Sequence, residues 1–223
     1  TLQGGRSARA RIGGQMKQCV AFILQKGVVR TILILSLATG FALIAVETYW
    51  QPMLQSLRAP YWSFGAVSFA GFGFVILGNC AGARLLARRA AQGTALLLIL
   101  KALFGASLIL LFLQGAVLSF AAVYLFAYLF LGAGSVAEST LLNRLAPASH
   151  RAGILSLFSF VLQIGGLIAS VCGYLISTYS RYQATWLLAG ALLLICAGIF
   201  PVVRKQAPPS SDYSEPSFPA ANV

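Results

Sequence analysis

The sequence predicts an all-α polytopic membrane protein with six transmembrane helices, and three observations carry that prediction. Six apolar stretches of about 20 residues run over roughly 31–50, 64–83, 94–113, 117–137, 153–176 and 184–203. Each is long enough, as a helix, to cross a hydrocarbon core of about 30 Å. Of the 223 residues, 59% are hydrophobic and 9% charged, with a mean hydropathy of +0.84; a soluble domain of this size needs far more charge on its surface. Basic residues gather on alternate sides of the six stretches, as helices oriented by positive charge require. Barrel strands would give short alternating runs, and the chain has none.

The net charge of +12 raises the question of nucleic acid, and its placement answers it. With the first residues on the cytoplasmic side, six crossings return the tail to that side. Arg6, Arg9, Arg11, Lys17, Lys26, Arg30, Arg84, Arg88, Arg89, Arg144, Arg151, Arg204 and Lys205 then lie there, against Arg58 and Arg181 opposite. The lipid bilayer is the partner this pattern points to, with no nucleic acid and both termini cytoplasmic.

Residues 1–30 are basic and lack the order of a signal peptide. From Gln15 to Arg30, polar and apolar residues mix as in a short helix lying on the membrane surface, so 1–30 reads as a basic linker. The first stretch ends on Glu47, Thr48, Tyr49, Trp50 and Gln51. Glu47 is open to two readings: a wetted carboxylate at the interface paired with Arg58, or a cavity-facing substrate or proton site, with Gln51 beside it. Trp50, Tyr61 and Trp62, with Pro52 and Pro60, suit an aromatic belt and a turn. The second stretch carries Gly78-xxx-Gly82, a candidate close helix contact. In the third, Lys101 is expected to snorkel to the headgroups.

Tyr124 and Tyr128 lie one turn apart in the fourth stretch, with Ser135 further along that face, so their hydroxyls point either into a polar cavity or at a helix neighbour. The fifth has the clearest face: Ser156, Ser159, Gln163, Gly166, Ser170 and Gly173 recur at spacings of three and four. It reads first as a packing surface of small residues, and Gln163 at mid-span is its functional candidate. The sixth stretch follows Tyr179, Tyr182 and Trp186, and the bundle of 31–203 gives way to a Pro- and Ser-rich tail over 204–223 expected to be disordered. Connections are short, so neighbours in sequence are expected to pack as antiparallel pairs.

Enzyme chemistry finds little footing. The four cysteines are scattered without metal or redox spacing, and the single histidine, His150, lies in a loop. No nucleophile–base pair, metal set or phosphate loop emerges, and no cofactor is predicted.

Two connections carry a family resemblance. The run Gly78-Asn79-Cys80-Ala81-Gly82-Ala83-Arg84-Leu85-Leu86-Ala87-Arg88-Arg89 is similar to the Gly-rich, Arg-ending loop of the major facilitator superfamily, with Gly82 where the better-kept copy of that loop has Asp. More specific is Asn143-Arg144-Leu145-Ala146-Pro147-Ala148-Ser149-His150-Arg151-Ala152, followed by Leu155-Ser156, which resembles that family's Pro-x-x-x-Arg entry into its eleventh helix. The chain thus resembles the C-terminal six-helix half of a twelve-helix transporter. The resemblance implies a missing N-terminal half as partner, a small-molecule substrate bound between the halves, and alternating access. It further implies that the first and fourth helices line the cavity, the second and fifth face the other half, and the third and sixth lie outside. Glu138 is expected to pair with Arg84 and Arg88 in a cytoplasmic gating clasp, while Glu47, Gln51, Tyr124, Tyr128 and Gln163 are the substrate or proton candidates, the proton being the expected driving ion and the cell (inner) membrane the expected location. Two other classes stand beside this: a self-contained six-helix protein acting as a homodimeric pore or carrier, and a membrane scaffold without transport.

Overall fold

The structure is a computed structural model that describes Ile23 and residues 26–148 and 151–206, with residue 90 and 200–206 described by backbone alone. Among the described residues are six long helices: α1 (Gly27–Ser56), α2 (Tyr61–Arg88), α3 (Gly93–Phe112), α4 (Val117–Leu145), α5 (Arg151–Tyr179) and α6 (Ala184–Gln206). A 3-10 turn, Ala90–Gln92, joins α2 to α3. The first five are long and apolar enough to cross a membrane; α6 has 23 residues and is apolar through Ile199. The expected surface helix falls largely outside the described residues, as does the tail beyond Gln206; within them α1 already begins at Gly27 and α6 runs through 204–206.

Local chemistry sets the helix ends. Beyond α1, Arg58 takes a left-handed backbone conformation with φ 55. This lets the amides of Arg58 and Ala59 bond back to the carbonyls of Gln55 and Leu54, at 2.9 and 3.0 Å. Pro60 then fixes an extended N-cap for α2, and its carbonyl accepts the Ser63 hydroxyl at 2.6 Å. At the other face of the bundle α4 stops at Leu145, because Ala146 precedes Pro147 and is extended with ψ 124.

The helix pairs are not those the short connections predicted. The closest packing joins α2 to α4, α1 to α5 and α3 to α6, with α3 also on α4 and α6 on α1. Of the sequence neighbours only α3 and α4 pack extensively. In lipid there is no apolar driving force between helices, so close backbone approach decides the partners. Glycines supply it reciprocally. Gly40 of α1 sits against the Leu162 carbonyl of α5 while Gly165 of α5 sits against that of Leu37; Gly132 of α4 meets Val75 of α2, and Gly78 of α2 meets Leu129. A Cβ at Gly105 of α3 would lie 2.9 Å from the Gly190 carbonyl of α6, and Gly190 meets the Gly105 carbonyl in turn.

These contacts define an internal twofold. One constant shift along the chain carries Leu37 and Gly40 onto Leu129 and Gly132, a second carries Val75 and Gly78 onto Leu162 and Gly165, and a third carries Gly105 onto Gly190. Helices α1–α3 therefore repeat as α4–α6, and because three crossings separate equivalent residues, the repeats are inverted in the membrane. The glycine pair of α3 and α6 lies at the centre of this relation.

Two apolar cores fill the bundle. One, toward the end that carries Arg58 and Arg181, centres on Phe41, Trp50, Phe104, Phe120, Tyr124 and Trp186. The other, toward the basic end with Arg84, Arg88 and Arg144, centres on Ile32, Leu35, Leu97, Leu142 and Ile154. Helices α1 and α4 are central to both, yet they touch each other over only a short stretch. Polar side chains bridge them at two places, beside one aromatic contact between Trp50 and Tyr124.

Candidate functional site

Toward the Arg58 end, the link is Glu47 with Tyr128. The Tyr128 hydroxyl of α4 donates to Oε1 of Glu47 on α1. Tyr128 is buried and Glu47 exposed, so a carboxylate at the open face is held from inside the bundle. The ring of Tyr128 packs on Tyr124 at 4.4 Å between centroids, and Tyr124 on Trp50 at 5.6 Å. Gly71 of α2 gives these rings room: a Cβ there would lie 3.2 Å from Tyr124. Glu47 stands about 14 Å along the helix from the end of α1, a helix of about 45 Å, which places it within a core of about 30 Å centred on that helix. Among the described residues no ion pair joins it to Arg58.

Toward the basic end, the link is a buried ion pair. Lys101 of α3 and Glu138 of α4 are each 1% exposed. Lys101 Nζ lies 2.6 Å from Glu138 Oε2 and donates also to Thr39 Oγ1 of α1 at 2.7 Å. The other carboxylate oxygen accepts the Ser36 hydroxyl of α1 at 2.7 Å. Ser36 Oγ is equally close to the Ile32 carbonyl, but a hydroxyl has one hydrogen and the bond to a charged acceptor is the stronger. Three helices thus meet at one pair of opposite charges.

This overturns two expectations. Lys101 does not snorkel; about two turns into α3, it faces the bundle, and its stem runs past Gly134 of α4. Nor does Glu138 close a clasp with Arg84 and Arg88: α4 continues about two turns beyond Glu138, both carboxylate oxygens are occupied by Ser36 and Lys101, and the two arginines are exposed on α2. Matching depth was the signal available in the sequence, since Lys101 and Glu138 stand equally far from the same face.

The remaining candidates divide. Gln51 is exposed one turn beyond Glu47, on the same helix. Gln163 is exposed on α5, deeper than Glu47, because Gly166 meets Ile44 and Gly173 meets Tyr49 along this parallel pair. The polar members Ser156, Ser159 and Ser170 are exposed with it, while Gly165, Gly166, Ala169 and Gly173 are buried on α1. The seam therefore splits into a packing side and an open side. Ser135 is exposed and does not share the buried face of Tyr124 and Tyr128.

Inverted three-helix repeats with ionisable groups on their central helices define a polytopic membrane protein of the transporter class. The chain belongs to the family described as Sugar (and other) transporter, within the major facilitator superfamily, whose family model matches residues 72–214. Both connections that carried the resemblance lie inside that match. Comparisons with curated proteins and with solved structures gave no match.

Proposed function

We propose that this chain is the C-terminal wall of a secondary transporter that moves a sugar or similar polar solute across the cell membrane by alternating access, coupled to protons at Glu47. The family supports the solute class, and the placement of Glu47 carries the coupling: an accessible carboxylate on the most enclosed helix, held by the buried Tyr128. An ionised Glu47 accepts the Tyr128 hydrogen; a protonated one has a hydrogen of its own to donate, so proton and solute hydroxyl compete for one acceptor. Gln51 and Gln163, on the same open side, supply further donors and acceptors for a polyol. A partner six-helix half completes the cavity against α2 and α5, whose outward faces carry Phe69, Phe72, Phe160 and Leu167. The basic end is cytoplasmic by its arginine excess.

The test is flux through the native gene product in liposomes. Glu47→Gln should lose uptake driven by a pH gradient while keeping solute exchange at equal pH; gradient-driven uptake at the wild-type rate would sink the coupling role. The partner half is tested by the mass of the native product, detected with an antibody to residues 206–223. A band near twice 23.6 kDa supports it, and a band at 23.6 kDa overturns it.

A further inference from the structure

The ion pair and the Glu47–Tyr128 link occupy related places. The shift that carries Gly40 onto Gly132 also carries Ser36 onto Tyr128, and their carboxylate partners, Glu138 and Glu47, fall within one residue of correspondence. Each link joins a hydroxyl on one central helix to a carboxylate on the other, and the inversion sets them at opposite ends of the α1–α4 pair. The shift that carries Gly105 onto Gly190 likewise carries Lys101 onto Trp186. Trp186 is fully buried and donates its indole N–H to the Ala45 carbonyl of α1 at 2.9 Å, as Lys101 donates to Glu138 of α4, within one residue of the place equivalent to Ala45. At both ends a side chain from the outer helix pair ties the central helices together.

From this we infer that Lys101, Glu138, Ser36 and Thr39 form a latch closing α1 against α4 at the basic end, broken and remade in the transport cycle in alternation with the Glu47–Tyr128 link. Three observations favour a latch over a permanent core element. The contact between α1 and α4 is short and its aromatic part, Trp50 on Tyr124, lies at the opposite end, so at the basic end the polar bonds weigh heavily in holding them. The cluster borders both apolar cores, and in the core at the basic end α1 contributes only Ile32 and Leu35 as buried members, so parting it there disturbs little apolar packing. Finally, α1 contributes only hydroxyls, Ser36 and Thr39, while both charges sit on α3 and α4. When α1 withdraws, the ion pair stays together and water replaces two charge-assisted hydrogen bonds to hydroxyls, a smaller penalty than separating the charges. The latch rests on the alternating-access reading, and its test reads chemical accessibility instead of flux.

Ser36→Cys or Thr39→Cys is made in the native product with Cys80→Ser, and alkylation by a membrane-impermeant thiol reagent is followed from each side of sealed vesicles. Ala137→Cys, at a fully buried position beside the cluster, is the static control. Expected is alkylation at positions 36 and 39 from the basic side only, at a rate that solute or a pH gradient changes, and that Glu138→Gln raises by at least about tenfold by removing the negative charge that holds α1 and Lys101. Alkylation no faster than at position 137 under every condition, with no response to Glu138→Gln, would mean a permanent structural pair and overturn the latch. Responsive alkylation without net flux keeps the latch and removes the transport reading; flux with inert thiols at both positions does the reverse.

Discussion

Removing Glu138's charge should destabilise the bundle more than any other single polar substitution. In Glu138→Gln the Lys101 ammonium keeps its burial, with both side chains of the pair only 2% exposed, but loses its counter-charge at 2.6 Å. Breaking a buried pair from one side costs about 3–5 kcal/mol, because an uncompensated charge remains. Replacing both partners by apolar side chains of similar volume is often neutral or stabilising. Lys101→Met with Glu138→Leu should therefore recover most of the loss, although it strands the Ser36 and Thr39 hydroxyls; each of these still has its own helix carbonyl, Ile32 and Leu35, at 2.7 Å. A double-mutant cycle in detergent, read by reversible unfolding, should give a coupling of at least about 2 kcal/mol between positions 101 and 138. A coupling under about 0.5 kcal/mol would refute the reasoning, since it would mean that Lys101 reaches water without Glu138.

Four further outcomes follow from single contacts. Gly40→Val, which drives side-chain atoms into the Leu162 carbonyl, should destabilise by about 1–3 kcal/mol and separate α1 from α5, measured by loss of a disulfide engineered across that pair. Trp186→Phe keeps most of the ring packing on Phe120 at 5.8 Å but leaves the Ala45 carbonyl without its indole donor, at about 1–2 kcal/mol in the same unfolding assay. Arg58→Gly relieves a left-handed residue at φ 55 and should be neutral to stabilising by up to about 1 kcal/mol, whereas Arg58→Val should destabilise. Tyr128→Phe keeps the aromatic stack and removes the hydrogen bond to Glu47, so gradient-driven uptake should fall while the melting temperature moves little; unchanged uptake would detach Tyr128 from the proposed coupling.

Hydropathy made the helices legible, and it left their partners hidden. It marks the slab of chain that lipid can solvate, so 31–50 emerged while the flanking turns of Gly27–Ser56, with Arg30 and Gln55, did not. Partners were hidden because these helices are apolar nearly all round. Only glycines such as Gly40, Gly78 and Gly165 signalled where backbones approach, and a glycine does not name what it will meet. Among the site residues, Glu47 and Tyr128 were recognisable by type, but their bond spans two helices that are distant in sequence. Lys101 was misjudged because its depth was weighed alone; beside Glu138, at the same depth in the next helix, a buried pair is the cheaper outcome.

The inverted repeat and the family membership bear on each other through what the repeat does not copy. Glycine seats are repeated because both crossings need the same backbone approach: Gly40 with Gly132, and Gly78 with Gly165. Side chains between the central helices are repeated in position and changed in chemistry. Lys101 answers to Trp186, so the basic end is tied by a charged donor and the opposite end by an aromatic one. Glu138 is sealed between Ser36 and Lys101, whereas Glu47 faces out past Tyr128. If the chain alternates as proposed, equal packing would let the two repeats adopt mirrored arrangements at little difference in energy, and unequal polar links would decide which end is closed at rest. With a charge-assisted tie at the basic end and an exposed carboxylate at the other, the resting bias would be toward closure at the basic end. Under the proposed coupling, a proton at Glu47 would be the smallest change able to weaken the opposing link without disturbing that seal.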